Sequence, residues 1–151
     1  MDELLAKLNQ YDVVYEIIEH TKQIHSAQEG AEYFGIDIGQ TAPTLIMKTD
    51  KGYYAVIICG DYGRVDLEAM KALLNVEQLR LAKPNEVEQV TGSKIGSVAL
   101  INSGLPTIID KQLFRYDYVY GGTGVPQTTL KLPPDAIVQL NEIVGYLRAD
   151  S

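Results

Sequence analysis

The stretch TGSKIGSVALINSGLPTIID, residues 91–110, holds the densest set of groups that could serve chemistry. Gly96 stands before an apolar run, and a glycine there lets the backbone approach a ligand with no side chain between them. Backbone amides exposed at such a point can hold a carbonyl or its developing oxyanion. Ser97 follows directly, and GGTG at 121–124 is a second signal of the same kind, with threonines soon after it. The same glycines also make ordinary turns of a sheet protein, and spacing alone leaves both open. Asp110 ends the stretch, placed either to orient a site group or to cap the KQLF turn after it.

Other chemistries find less support. The glycines follow neither GxGxxG nor GxxxxGK[ST], so no nucleotide cofactor is expected, and GSVAL is not a GxSxG elbow. His20 and His25 are the only histidines, with neither a cysteine pair nor HExxH beside them, so no metal site is expected. They read as structural or surface residues, or as substrate contacts from the loop before the second helix. The single cysteine, Cys59, lies in YYAVIIC and reads as a small buried hydrophobe rather than a nucleophile.

The elements that position these residues follow from periodicity and turn chemistry. Leu4, Leu5 and Leu8 suggest a short first helix, and VVYEII a strand over 13–18. Ser26 and Glu29 form a capping-box pattern for AQEGAEYF, which Gly35 ends. TLIMK and YYAVIIC read as a central hairpin through TDKG. Asp66 caps a helix with Leu67, Met70, Leu73 and Leu74; LRLA is a short strand, and KPNEVEQV a helix begun at Pro84 and ended at Gly92. SVALI and PTIID read as strands joined by an NSG turn, and YDYVY and TTLKL as a hairpin through GGTG. PPDAIVQLNEIVGYL reads as a closing helix, because Ile137, Leu140, Ile143, Val144 and Leu147 recur at helical spacing.

Short strands outnumber helices and many of their links are too short for crossovers. The expected fold is α+β: one domain over 1–151 with a mixed, mostly antiparallel, curved and barrel-like sheet flanked by helices. A net charge of −7, from 20 acids against 13 bases, disfavours broad capture of nucleic-acid backbone, so DNA is not an expected partner. No apolar run reaches membrane-spanning length, MDELLAKLNQ does not read as a secretory signal, and one cysteine suits a reducing compartment. The cytoplasm is the expected location, with no membrane partner.

Taken in order, these pieces resemble the YbaK family, the domain associated with prolyl-tRNA synthetases. The resemblance runs from about His20 to about Leu140, through HT, SAQEGAEYFGI, TLIMKTDKGYYAVIICGDYGRVD, LAKPNEVEQVTGSKIGSVALI, IIDKQLF and GGTG. It implies an aminoacyl-tRNA deacylase that cleaves the ester of a mischarged tRNA, with tRNA for proline among the substrates. The acceptor end of aminoacyl-tRNA is then the expected partner, with a synthetase or a second copy of the chain as protein partners left open. It implies Gly96 and Asp110 as the catalytic pair. His20, Thr44, Lys48, Ser97, Gly121 and Gly122 are implied as substrate-binding residues. Two positions depart from the family pattern: Pro43 stands where a lysine begins a KTL triplet, and Leu100 where a loop proline is usual. They support an alternative, a catalytically inactive module that binds tRNA, a nucleotide or a protein through the inherited pocket.

Overall fold

The computed structural model describes residues 2–22, 24, 26–101 and 104–148, so His25 and most of the NSG turn lie outside the described residues. Five helices are described: α1 (Asp2–Gln10), α2 (Ala27–Phe34), α3 (Leu67–Leu74), α4 (Pro84–Thr91) and α5 (Pro134–Leu140). The strands are β1 (Glu16–Glu19), β2 (Thr44–Thr49), β3 (Gly52–Ile57), β4 (Leu79–Leu81), β5 (Pro106–Asp110), β6 (Val119–Gly122), β7 (Thr128–Leu132) and β8 (Glu142–Leu147). Together they make an α+β fold whose strand pairings are mixed and mostly antiparallel.

The described pairings fall into two sheets, ordered β1-β7-β6 and β4-β2-β3-β5-β8, and do not include the ladder that would close one barrel-like sheet. Two isolated parallel bridges, Thr41 with Tyr120 and Ala99 with Gly122, stitch the sheets together. The main core lies among α1, both sheets and α5, where Leu8, Ile57, Ile109, Leu130, Leu132 and Ile137 are buried. A second cluster fills the space under α3 around Met47, Val56, Met70 and Ile108. A third, with Ile46, Ala55, Ala82, Val87 and Val98, brings in Val87 of α4.

Helix ends follow their local chemistry. The Ser26 hydroxyl accepts from the Glu29 amide at 3.1 Å to start α2, and Gly35, at φ 68°, ends it in the left-handed region. Asp66 caps α3 in the same way, and Gly92 closes α4 at φ 76°.

Two segments differ from the sequence expectation. SVALI is not a strand: it runs as a packed loop that touches β6 through one bridge. PTIID therefore does not return beside it. It lies as β5 between β3 and β8, parallel to both. The closing helix stops at Leu140, where the Asn141 side chain donates to the carbonyls of Ile137 (3.0 Å) and Leu100 (2.8 Å). Glu142–Leu147 is strand β8. Ile143 and Val144 are β-branched and favour a strand. Gly145 fits beneath Leu73 of α3, where an added Cβ would come within 3.1 Å of that side chain.

Candidate functional site

An open cleft of about 550 Å³ lies where the two sheets meet, and His20, Thr44, Gly96, Ser97, Gly121 and Gly122 all line it. Chain positions 100 residues apart are brought together by the two bridges and by α2, which supplies Gly30 and Phe34 to the wall. Among the described lining residues there is no Asp, Glu, Lys or Arg. A ligand here meets backbone, hydroxyls, the side chains of His20 and Gln127, and apolar surface.

The glycine loop is held from beneath. Gly96 takes φ 88°, a region that favours glycine. The Gly124 amide donates to the Ser97 carbonyl at 2.8 Å, and the Ser93 hydroxyl to the Gly124 carbonyl at 3.0 Å, tying this loop to GGTG. A Cβ on Gly122 would collide with the Val98 carbonyl, and one on Gly121 with the Leu100 side chain. These two glycines therefore shape the site by letting the loop lie against β6. Leu100 is fully buried, and its amide donates to the Gly122 carbonyl at 3.0 Å. Proline at that position has no N–H to give, so the departure at Leu100 replaces ring rigidity with a hydrogen bond.

His20 sits at the end of β1 with both ring nitrogens engaged. Nδ1 lies 2.6 Å from the Lys22 carbonyl, which can only accept, so Nδ1 carries a proton. In the neutral ring Nε2 then accepts from the Thr129 hydroxyl at 3.1 Å. Tyr33 and Phe34 pack around the imidazole, and Phe34 continues to Tyr120 with ring centres 5.2 Å apart. The aromatic pair Phe34–Tyr120 and the hydroxyls of Thr128 and Thr129 complete that wall. The sequence hinted at the threonines only through their nearness to GGTG, and nothing in it marked Phe34. Opposite, Pro43 lines the cleft and its carbonyl accepts from the Ile58 amide at 3.2 Å. The Thr44 hydroxyl beside it is buried and meets no hydrogen-bond partner among the described residues.

Two expected site residues lie elsewhere. Lys48 shares the β2 face of Thr44 but stands four residues further, about 13 Å along a strand. There its ammonium pairs with Glu86 at 3.4 Å and reaches over the Tyr53 ring. Asp110 is fully buried away from the cleft lining. Its Oδ1 accepts from the Gln112 amide and from Arg148 Nε, each at 3.0 Å, and its Oδ2 from the Cys59 amide at 3.1 Å and from Arg148 Nη2. Asp110 thus caps the 3-10 turn Lys111–Arg115 and anchors the end of β8. Burial alone would raise its pKa, but the Arg148 guanidinium and the two amides outweigh that and hold the carboxyl below its usual range. Arg148 also reaches Asp61, which pairs with Arg115 at 3.2 Å. Cys59 is buried here too. Desolvation, reinforced by the Asp110 charge, pushes its thiol up to about 12, which removes it as a nucleophile at neutral pH. No cluster of three or more potential metal ligands occurs among the described residues, and no described helix is long and apolar enough to cross a membrane.

The model of the aminoacyl-tRNA editing domain matches residues 21–140, which carry most of this cleft. The chain belongs to that family. The editing domain is similar to part of the proline–tRNA ligase of Thermosipho melanesiensis, at 27% identity over 128 residues, 80% of this chain and 22% of that protein. With the proline–tRNA ligase of Caldicellulosiruptor bescii it shares 30% identity over 103 residues, 68% of this chain and 18% of the ligase. The chain thus spans only about a fifth of the length of those ligases. Among solved structures, a hypothetical protein superposes with a TM-score of 0.86 at 26% identity, over 95% of this chain and 97% of that one. A candidate trans-editing enzyme for prolyl tRNA synthetase superposes with a TM-score of 0.81, also at 26% identity, over 93% and 88% of the two chains. The expected kinship with the YbaK and prolyl-tRNA synthetase-associated domains holds.

Proposed function

We propose that this editing domain is an aminoacyl-tRNA deacylase, hydrolysing the ester of a mischarged tRNA whose acceptor end enters the cleft. The observation that carries the proposal is the convergence of the glycine loop, Gly121 and Gly122 within the family-matched residues, and of His20 just before them, on one open cleft. The terminal adenosine would lie on the aromatic wall of Phe34 and Tyr120, and the ester carbonyl beside the glycine loop. Backbone amides near Gly96 and Gly122 would stabilise the oxyanion as water attacks. The neighbouring ribose hydroxyl would orient that water, so no protein nucleophile is required. Mischarged tRNA for proline is the favoured substrate, since the related ligases carry that name. The proposal places the protein in the cytoplasm as a single domain, acting alone or beside a synthetase.

A second reading, a binding module without turnover, draws on one observation: Pro43 puts neither charge nor amide donor into the cleft. Deacylation of a panel of mischarged tRNAs, with Gly96→Val beside the wild type, separates the two. Turnover that vanishes in the variant supports the hydrolase. Hydrolysis no faster than in buffer, by folded protein, supports the module.

A further inference from the structure

The face of the three-stranded sheet that lines the cleft continues past its edge. Directly paired residues share a face and side chains alternate along each strand, so Gly122 and Thr129 of the lining share their face with Tyr120 and Lys131. Lys131 stands two residues, about 7 Å, beyond Thr129 and just outside the cleft lining. Its ammonium lies 5.0 Å from the centre of the Tyr118 ring and 5.8 Å from that of Tyr120. Tyr120 is also half of the aromatic wall, packed on Phe34. Glu16 is the direct neighbour of Lys131 on β1, yet no ion pair joins the two among the described residues. The ammonium is drawn across the sheet to the cleft wall instead, and two rings hold it there. Among the described lysines and arginines, it is the one that lies over a ring of the cleft lining.

We propose that Lys131 receives the phosphate that joins the terminal adenosine of the acceptor end to the nucleotide before it. The inference rests on the deacylase reading for the identity of the ligand. The 2′- and 3′-oxygens of a nucleoside leave the ribose on the side opposite its 5′-carbon. With the base on Phe34 and Tyr120, an ester at the glycine loop lies toward Gly122, against which that loop packs. The 5′-phosphate then points toward the other end of β6, where Lys131 stands opposite Tyr120. The cleft lining supplies neither lysine nor arginine, and the chain carries a net charge of −7, so a phosphate has to be met by a local cation. A lysine suits the task, because its flexible stem can carry a compact charge from the ring faces to the phosphate oxygens.

The test is calorimetric binding of three probes to the wild type, Lys131→Met and Lys131→Arg. The probes are amide-linked alanyl-adenosine, the same analogue with cytidine joined through its 5′-phosphate, and free adenosine 5′-monophosphate. In the wild type at low salt the phosphodiester should tighten binding about tenfold over alanyl-adenosine. In Lys131→Met, which keeps the apolar stem and loses the charge, that gain falls below about twofold, while Lys131→Arg retains most of it. The slope of log affinity against log salt for the phosphodiester probe should be shallower by about 0.7 in Lys131→Met. Equal affinity of the two alanyl analogues in the wild type overturns the inference, and so does a gain that survives Lys131→Met. Adenosine 5′-monophosphate bound as tightly as the phosphodiester probe assigns Lys131 to a free nucleotide and overturns it as well. Should Lys131→Met not fold, the wild-type gain, its salt slope and Lys131→Arg decide. These outcomes part from those of the deacylase reading. A gain that depends on Lys131, without hydrolysis of any mischarged tRNA, sinks the deacylase and leaves the phosphate contact standing. Hydrolysis that ignores Lys131 does the reverse. Binding of no probe overturns both.

Discussion

The cleft and the ion-pair knot around Asp110 are built from opposite materials. The described cleft lining contains no Asp, Glu, Lys or Arg and offers glycines, hydroxyls and aromatic faces. The knot packs Asp110, Arg148, Asp61 and Arg115 around a buried thiol, and its carboxylate is satisfied on every side by protein. A group whose partners are all internal holds a fold together. Groups that line an open cleft, such as the glycine loop and the face of Tyr120, are placed to meet a ligand. Sequence reasoning joined Gly96 and Asp110 in one catalytic pair, and the structure assigns them to these two regions.

The largest effect that would break this division lies at Asp110. Replacing it by Asn removes the buried charge on which Arg148 closes and leaves that half-buried guanidinium only its longer contact with Asp61, at a cost of about 3 kcal/mol of stability. Denaturant unfolding at neutral pH measures the loss, while activity per folded molecule should hold. The folded carboxyl has a lowered pKa, so its stabilisation is complete above the ordinary carboxylate value and disappears as pH falls through the folded value. The wild-type and Asp110→Asn stability curves should therefore converge in acid. A variant that stays stable but loses activity would return Asp110 to the chemistry.

This split shows what the sequence could and could not disclose. Caps and turns were legible because they are local: Ser26, Asp66, Gly35 and Gly92 each act within a few residues. The cleft residues His20, Thr44, Gly96, Ser97, Gly121 and Gly122 were legible through motif order, yet their common wall needed the fold. Arg148 is 38 residues from Asp110 and carries no local sign of the pairing. The closing segment misled for a related reason. Ile143 and Leu147 fit both a helical stripe and a strand, and pairing with β5 decided the matter. Tertiary partners, absent from a window of sequence, overruled a periodicity that two structures share.

A smaller effect sharpens the same comparison from the cleft side. In Gly122→Ala the added methyl must displace the Val98 carbonyl, pushing the glycine loop off β6. Overpacking of this kind costs about 1–2 kcal/mol. Deacylation should fall more steeply, by at least about tenfold, since misplacing a positioned backbone group penalises the transition state directly. Activity assays alongside thermal unfolding separate the two losses. A drop in stability with full activity would show that the loop's resting place does not matter to the site.

The smallest expected effect tests whether the cleft works without a lysine. Lys48 is the one lysine on β2, and a reader seeking a substitute for the charge missing at Pro43 would turn to it. Its ammonium is engaged with Glu86 and Tyr53, on the α4 side and well along the strand from the cleft. Flexible as lysine is, leaving Glu86 would also mean crossing the β2 positions that separate it from Thr44. Lys48→Ala should therefore leave the deacylation rate within about twofold of wild type, which is the scale of an exposed charge far from the reacting atoms. A loss of ten-fold or more, with the fold intact, would mean that Lys48 swings into the cleft when the substrate arrives. A cleft without lysine or arginine would then describe only the empty protein, and the comparison with the Asp110 knot would have to be redrawn around a mobile cation.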